Sequence, residues 1–210
     1  MGFEIMMYTK TEIFNQVVFK RAIKFIVFSA AITMIATIIT YIINPDIKEV
    51  VLGMEESLSI QIKESTGIDR VWSYVINNGF AVPLQMLILA LIPIQFIYLL
   101  NIISTTSLLG VFWGIALLID EKGFELIIAS IPHAVFEIFA YCIFAAVLFE
   151  LNQVIRVKVR NNFKKDNDGN SFINKFVRTI IVYAVFVLPI ILVAAFLETY
   201  IADIILDLFE

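Results

Sequence analysis

Three side chains able to carry a proton stand inside long apolar stretches of this 210-residue chain: His133, its single histidine, Glu137 and Glu198. Ionisable groups in such surroundings are costly, and for that reason they point to a site. His133 and Glu137 are four residues apart, so on a helix they share one face, a turn from each other. One imidazole and two carboxylates can hold a ligand or a partner's peptide, relay protons, or bond helix to helix at about 0.6–2 kcal/mol per bond. They match no secure zinc set, and no nucleophile with an adjacent base accompanies them. No metal, cofactor or catalytic residue is therefore expected. Asn77, Asn78 and Gln85, ahead of and within another apolar run, complete the candidate polar cluster.

These groups need elements to position them, and composition says which kind. The chain is 60% hydrophobic and 16% charged, with a mean hydropathy of +0.93; ordinary soluble domains have about 45–50% apolar and about 25% charged residues. So small a globule cannot bury that excess and keep a wetted surface, which excludes a soluble enzyme. The net charge of -4 supplies no basic stripe for nucleic acid. One cysteine, Cys142, gives no disulfide framework, and the chain holds neither GxxxxGKS nor HExxH.

A bilayer core needs about 20 mostly apolar helical residues. Such runs occupy about 22–43, 80–103, 127–150 and 179–202, with a shorter candidate at 104–119. The first stops at Asn44-Pro45, a helix terminator. The expected fold is all-α: one integral membrane domain over 1–210, a polytopic bundle of five transmembrane helices. A basic cytoplasmic loop covers 151–178, and an outer amphipathic segment covers 44–79, between the first two spans. Within that segment Ile47, Val50, Val51, Met54, Leu58 and Ile62 approach helical spacing, while 57–63 also alternates with strand period. Trp72 and Tyr74 are expected in an outer aromatic belt.

Lys and Arg counts orient the bundle. The N-terminal flank and the 151–178 loop hold eleven of the 15 basic residues, and positive flanks stay inside. An even number of crossings must separate them, as five spans with N-in/C-out provide. A re-entrant hairpin over 80–119 satisfies the same parity; two full crossings are expected, turning at Asn101 to Ser107. With the fourth span starting at Ser130 to Pro132, Glu137 lies about 7 Å below the outer boundary, and Glu198, in a span running the other way, at about 6 Å. Gly110 and Gly114 form a GxxxG pattern that allows copies to associate.

The string IPHAVFEIFAYCIFAAVL, residues 131–148, resembles one signature of the stage II sporulation protein M-like membrane family, and LVAAFLETYI, residues 192–201, resembles its second. Asn77-Asn78 fits as well; Ala134 stands where the family has Gly, and Thr106-Ser107 where it has Asn-Gly. The resemblance covers roughly 15–205. It implies a five-span protein of the bacterial cell membrane, N-in and C-out, similar to a scaffold that recruits cell-wall hydrolases to the septal membrane in sporulating cells; other relatives accompany circular bacteriocin export and immunity.

The expected function is thus a non-enzymatic membrane scaffold that recruits an extracytoplasmic partner such as a cell-wall-remodelling complex. The alternative is a transporter or export/immunity component using the His/Glu cluster. The expected partners are the lipid bilayer and a membrane or extracytoplasmic protein, with no nucleic acid.

Overall fold

In the computed structural model, residues 16–45, 66–119, 121–160 and 169–209 are described. Among them there are no strands, and five helices are long and apolar enough to cross a membrane. We label them α1 (Gln16–Ile43), α2 (Gly67–Leu91), α3 (Ile97–Ala116), α4 (Glu121–Arg160) and α5 (169–207). The expected outer segment falls mostly on 46–65, outside the described residues, and its end, 67–79, is the first half of α2.

α4, 40 residues long, is the hub against which every other helix packs. No residue of α4 from 140 to 148 is more than 2% exposed, and Met86, Ile102, Val182, Val187 and Ile191 close over this stretch. Outward faces are apolar too: Val27, Met34, Ile35, Ile38 and Ile42 of α1 are all at least half exposed, the pattern of helices whose solvent is hydrocarbon. Backbone groups in such a solvent must be satisfied internally, and α1 ends accordingly, with Asn44 at positive φ bonding its amide to the Thr40 carbonyl just before Pro45.

α1 lies chiefly on α3, and small residues set the distance. A Cβ at Gly110 would stand 2.5 Å from the Thr33 carbonyl oxygen, and one at Gly114 would stand 2.6 Å from the Thr40 Cβ. Thr33 donates from its hydroxyl to the Thr106 carbonyl at 3.2 Å. The GxxxG face is therefore occupied within the chain, and contact between copies would need another surface.

Two boundaries differ from expectation. The chain reverses at Ile92 to Phe96, and Asn101 to Ser107 lie inside α3. Pro93 cannot continue the helix, Ile92 before it is extended, as residues preceding proline are, and Phe96 is left-handed at φ 68. Asn152 of α4 holds the turn, its amide donating to the carbonyls of Ala90 at 2.9 Å and Ile92 at 2.7 Å. The fourth helix begins at Glu121, not at Ser130 to Pro132, so Pro132 is inside it. Glu137 is thus about 24 Å along α4 from its start, and not in the helix's first turns.

Candidate functional site

α2 and α5 are not regular helices. α2 widens into a π-helical turn at Val75–Ala81, and α5 does so at Tyr183–Val187 and Leu197–Ile201. Such turns insert an extra residue and occur frequently at functional sites. Here they hold Asn77, Asn78 and Gly79 in α2 and Glu198 in α5. Tyrosines on the facing helices bond the wide turn of α2: Tyr141 of α4 donates to the Asn78 carbonyl at 3.0 Å, and Tyr183 of α5 donates to the Gly79 carbonyl at 2.6 Å.

Around these turns the carboxylates gather. Glu137 stands one turn before Tyr141 on α4, near its phenol. Glu198 lies near the phenol of Tyr74, and the two carboxylates are close enough to act on each other electrostatically. Arg70, four residues before Tyr74, lies near both that phenol and Glu198, its guanidinium carbon 6.0 Å from the centre of the Tyr74 ring. Tyr74 itself is buried with Val71, Val75 and Ala195, where α2 meets α5. It belongs to the site and not to an outer aromatic belt; Trp72, on another face, is exposed.

The sequence-derived set separates into parts. Glu137 and Glu198 lie near enough to interact electrostatically, and the Asn78 carbonyl bonds the phenol of Tyr141, beside Glu137. The side chains of Asn77 and Asn78 bond each other at 2.7 Å on the exposed face. Gln85, nearly two turns further along α2, accepts from Asn101 of α3 at 2.8 Å and lies on the α2–α3 seam. His133 makes no hydrogen bond among the described residues, and its Nδ1 is buried without a partner. Thr199 also buries a hydroxyl without a partner.

Arg70 and Tyr141 were not singled out from the sequence, and Tyr74 was assigned to the aromatic belt, although Arg70 with Tyr74 and Glu137 with Tyr141 each show the four-residue spacing of neighbours on one helix face. Among the described residues no group of three or more His, Cys, Asp or Glu could hold a metal ion. The arrangement offers two carboxylates, one guanidinium and two phenols, a set that binds through hydrogen bonds and charge.

The sequence profile of stage II sporulation protein M matches residues 24–203, nearly the whole chain. The chain belongs to this family. No curated protein and no solved structure matches it. For this stage II sporulation protein M family member, the match takes in α2, α3 and α4 whole and most of α1 and α5, and contains Arg70, Glu137 and Glu198.

Proposed function

We propose that this family member is a non-enzymatic scaffold of the bacterial cell membrane that crosses the bilayer five times and assembles an extracytoplasmic partner, such as a cell-wall-remodelling complex. The end bearing Arg70, Glu137 and Glu198 faces outward, and the basic end, with Arg21, Arg156, Lys175 and Arg178, faces the cytoplasm, in keeping with the positive-inside rule. The observation that supports the scaffold over a transporter is the packed stretch 140–148 of α4. A proton or substrate pathway from Glu137 toward the basic end would run along this stretch, which all the other helices cover.

Glu137→Gln keeps shape and hydrogen bonding while removing the charge. Extracytoplasmic proteins co-purifying with the tagged chain in mild detergent are expected at near wild-type levels for this variant, and proteoliposomes of the wild type are expected to show no proton flux above protein-free vesicles. Flux through the wild type, abolished in Glu137→Gln with assembly intact, would overturn the scaffold in favour of a transporter or an export and immunity component.

A further inference from the structure

At the opposite end of α4, Glu150 is the meeting point of three helices. Its Oε2 accepts from Lys175 Nζ at 2.6 Å and Arg178 Nη1 at 2.7 Å, both on α5, and its Oε1 stands 3.6 Å from Arg21 Nη1 of α1. Arg21 also donates to the Ala146 carbonyl at 3.1 Å and stacks on Phe149, with its guanidinium carbon 4.1 Å from the ring centre. One turn and a half further on, Arg156 bonds neutral amides, Asn152 at 3.0 Å and Gln95 at 3.1 Å. Glu150 is the acid of this end among the described residues.

Among the described residues the cations of this end outnumber its acids: Arg21, Lys175 and Arg178 share the one carboxylate of Glu150, and Arg156 bonds amides. Arg21 is mostly buried, its side chain 19% exposed. Buried charge that is only partly compensated is costly, and fixed cations sharing one carboxylate at the rim of an apolar bundle are balanced most readily by a further anion at the same depth. The phosphate of a lipid headgroup is held there by the bilayer itself, and basic pockets between transmembrane helices bind such headgroups. The Lys175 side chain, 37% exposed, is open to one.

We propose that the cation cluster around Glu150 is a binding site for the headgroup phosphate of an anionic phospholipid, contacted by Lys175 and Arg21. The lipid acts as a second anion beside Glu150, joining α1, α4 and α5 at their shared end. Inorganic phosphate has the same anionic chemistry but lacks the chains that bring it to this depth.

The test is native mass spectrometry of the full chain in neutral detergent, titrated with phosphatidylglycerol, phosphatidylcholine or inorganic phosphate. Phosphatidylglycerol is expected to bind preferentially, and Arg21→Gln with Lys175→Gln is expected to weaken it about fivefold for each cation removed. Lys20→Gln with Lys24→Gln, which alters exposed cations on α1, should change binding less than twofold. Equal binding of the two lipids, or equal losses in the two double variants, would overturn the site; displacement of phosphatidylglycerol by inorganic phosphate would overturn the lipid as its occupant. A stability readout tests the same idea from the other side: Glu150→Gln should lower the unfolding temperature in neutral detergent and recover it on adding phosphatidylglycerol, whereas loss without recovery counts against the lipid. Should that variant not fold, the mass-spectrometric comparison stands alone.

Discussion

Glu137 and Glu150 stand on the same helix, about 20 Å apart along its axis, and the chain treats them in opposite ways. Glu150 receives cations from α1 and α5 and joins three helices. Glu137 lies near the phenol of Tyr141, whose proton goes to the Asn78 carbonyl, and near a second carboxylate, Glu198. A carboxylate surrounded by cations behaves as a fastener, because removing it exposes several charges at once. Two carboxylates near one another, with a single guanidinium in range, oppose one another and contribute little to holding the bundle. The difference lies in the supply of countercharge, and it separates a structural node from a site kept for another purpose.

The largest effect that could break this comparison is at the node. Glu150→Ala is expected to cost about 3 kcal/mol, the lower part of the range for removing one partner of a buried ion pair, read as a fall in unfolding free energy in neutral detergent; a change below about 1 kcal/mol would remove the distinction between the two ends. Next come the phenols around the wide turn of α2. Tyr141→Phe and Tyr183→Phe each delete a bond to a main-chain carbonyl and are expected to cost about 1 kcal/mol, measured in the same way. The smallest effect belongs to the acids. Glu137→Gln and Glu198→Gln are expected to leave stability within about 0.5 kcal/mol of wild type or to raise it slightly, since each relieves a like-charge contact. A loss comparable to that of Glu150→Ala would make the pair structural and sharpen the comparison into one between two fasteners.

Much of the architecture was legible because hydrocarbon imposes a simple rule of length and apolarity. The α1 terminus was written locally, in Asn44-Pro45. The α2–α3 reversal was harder: residues 80–103 are apolar throughout apart from Gln85, Gln95 and Asn101, and the breaker, Pro93, sits in the middle of a run long enough to cross without it. The side chain that satisfies the turn, Asn152, comes from about 60 residues away, and no local pattern announces such a partner. For the site, the approach of Glu137 and Glu198 follows from α4 and α5 running in opposite directions. The π-helical turns have no local signature, and without them the carbonyls of Asn78 and Gly79 have no reason to meet tyrosines. His133, adjacent to Pro132 and the right distance from Glu137, had the spacing of a site residue and yet makes no bond to it.

The 40 residues of α4 amount to about 60 Å of rod, whereas a bilayer with its headgroups measures about 40–45 Å. Set upright in such a bilayer, a helix of this length is longer than the membrane by about three turns, and Pro132 inside it marks the place where so long a rod can bend.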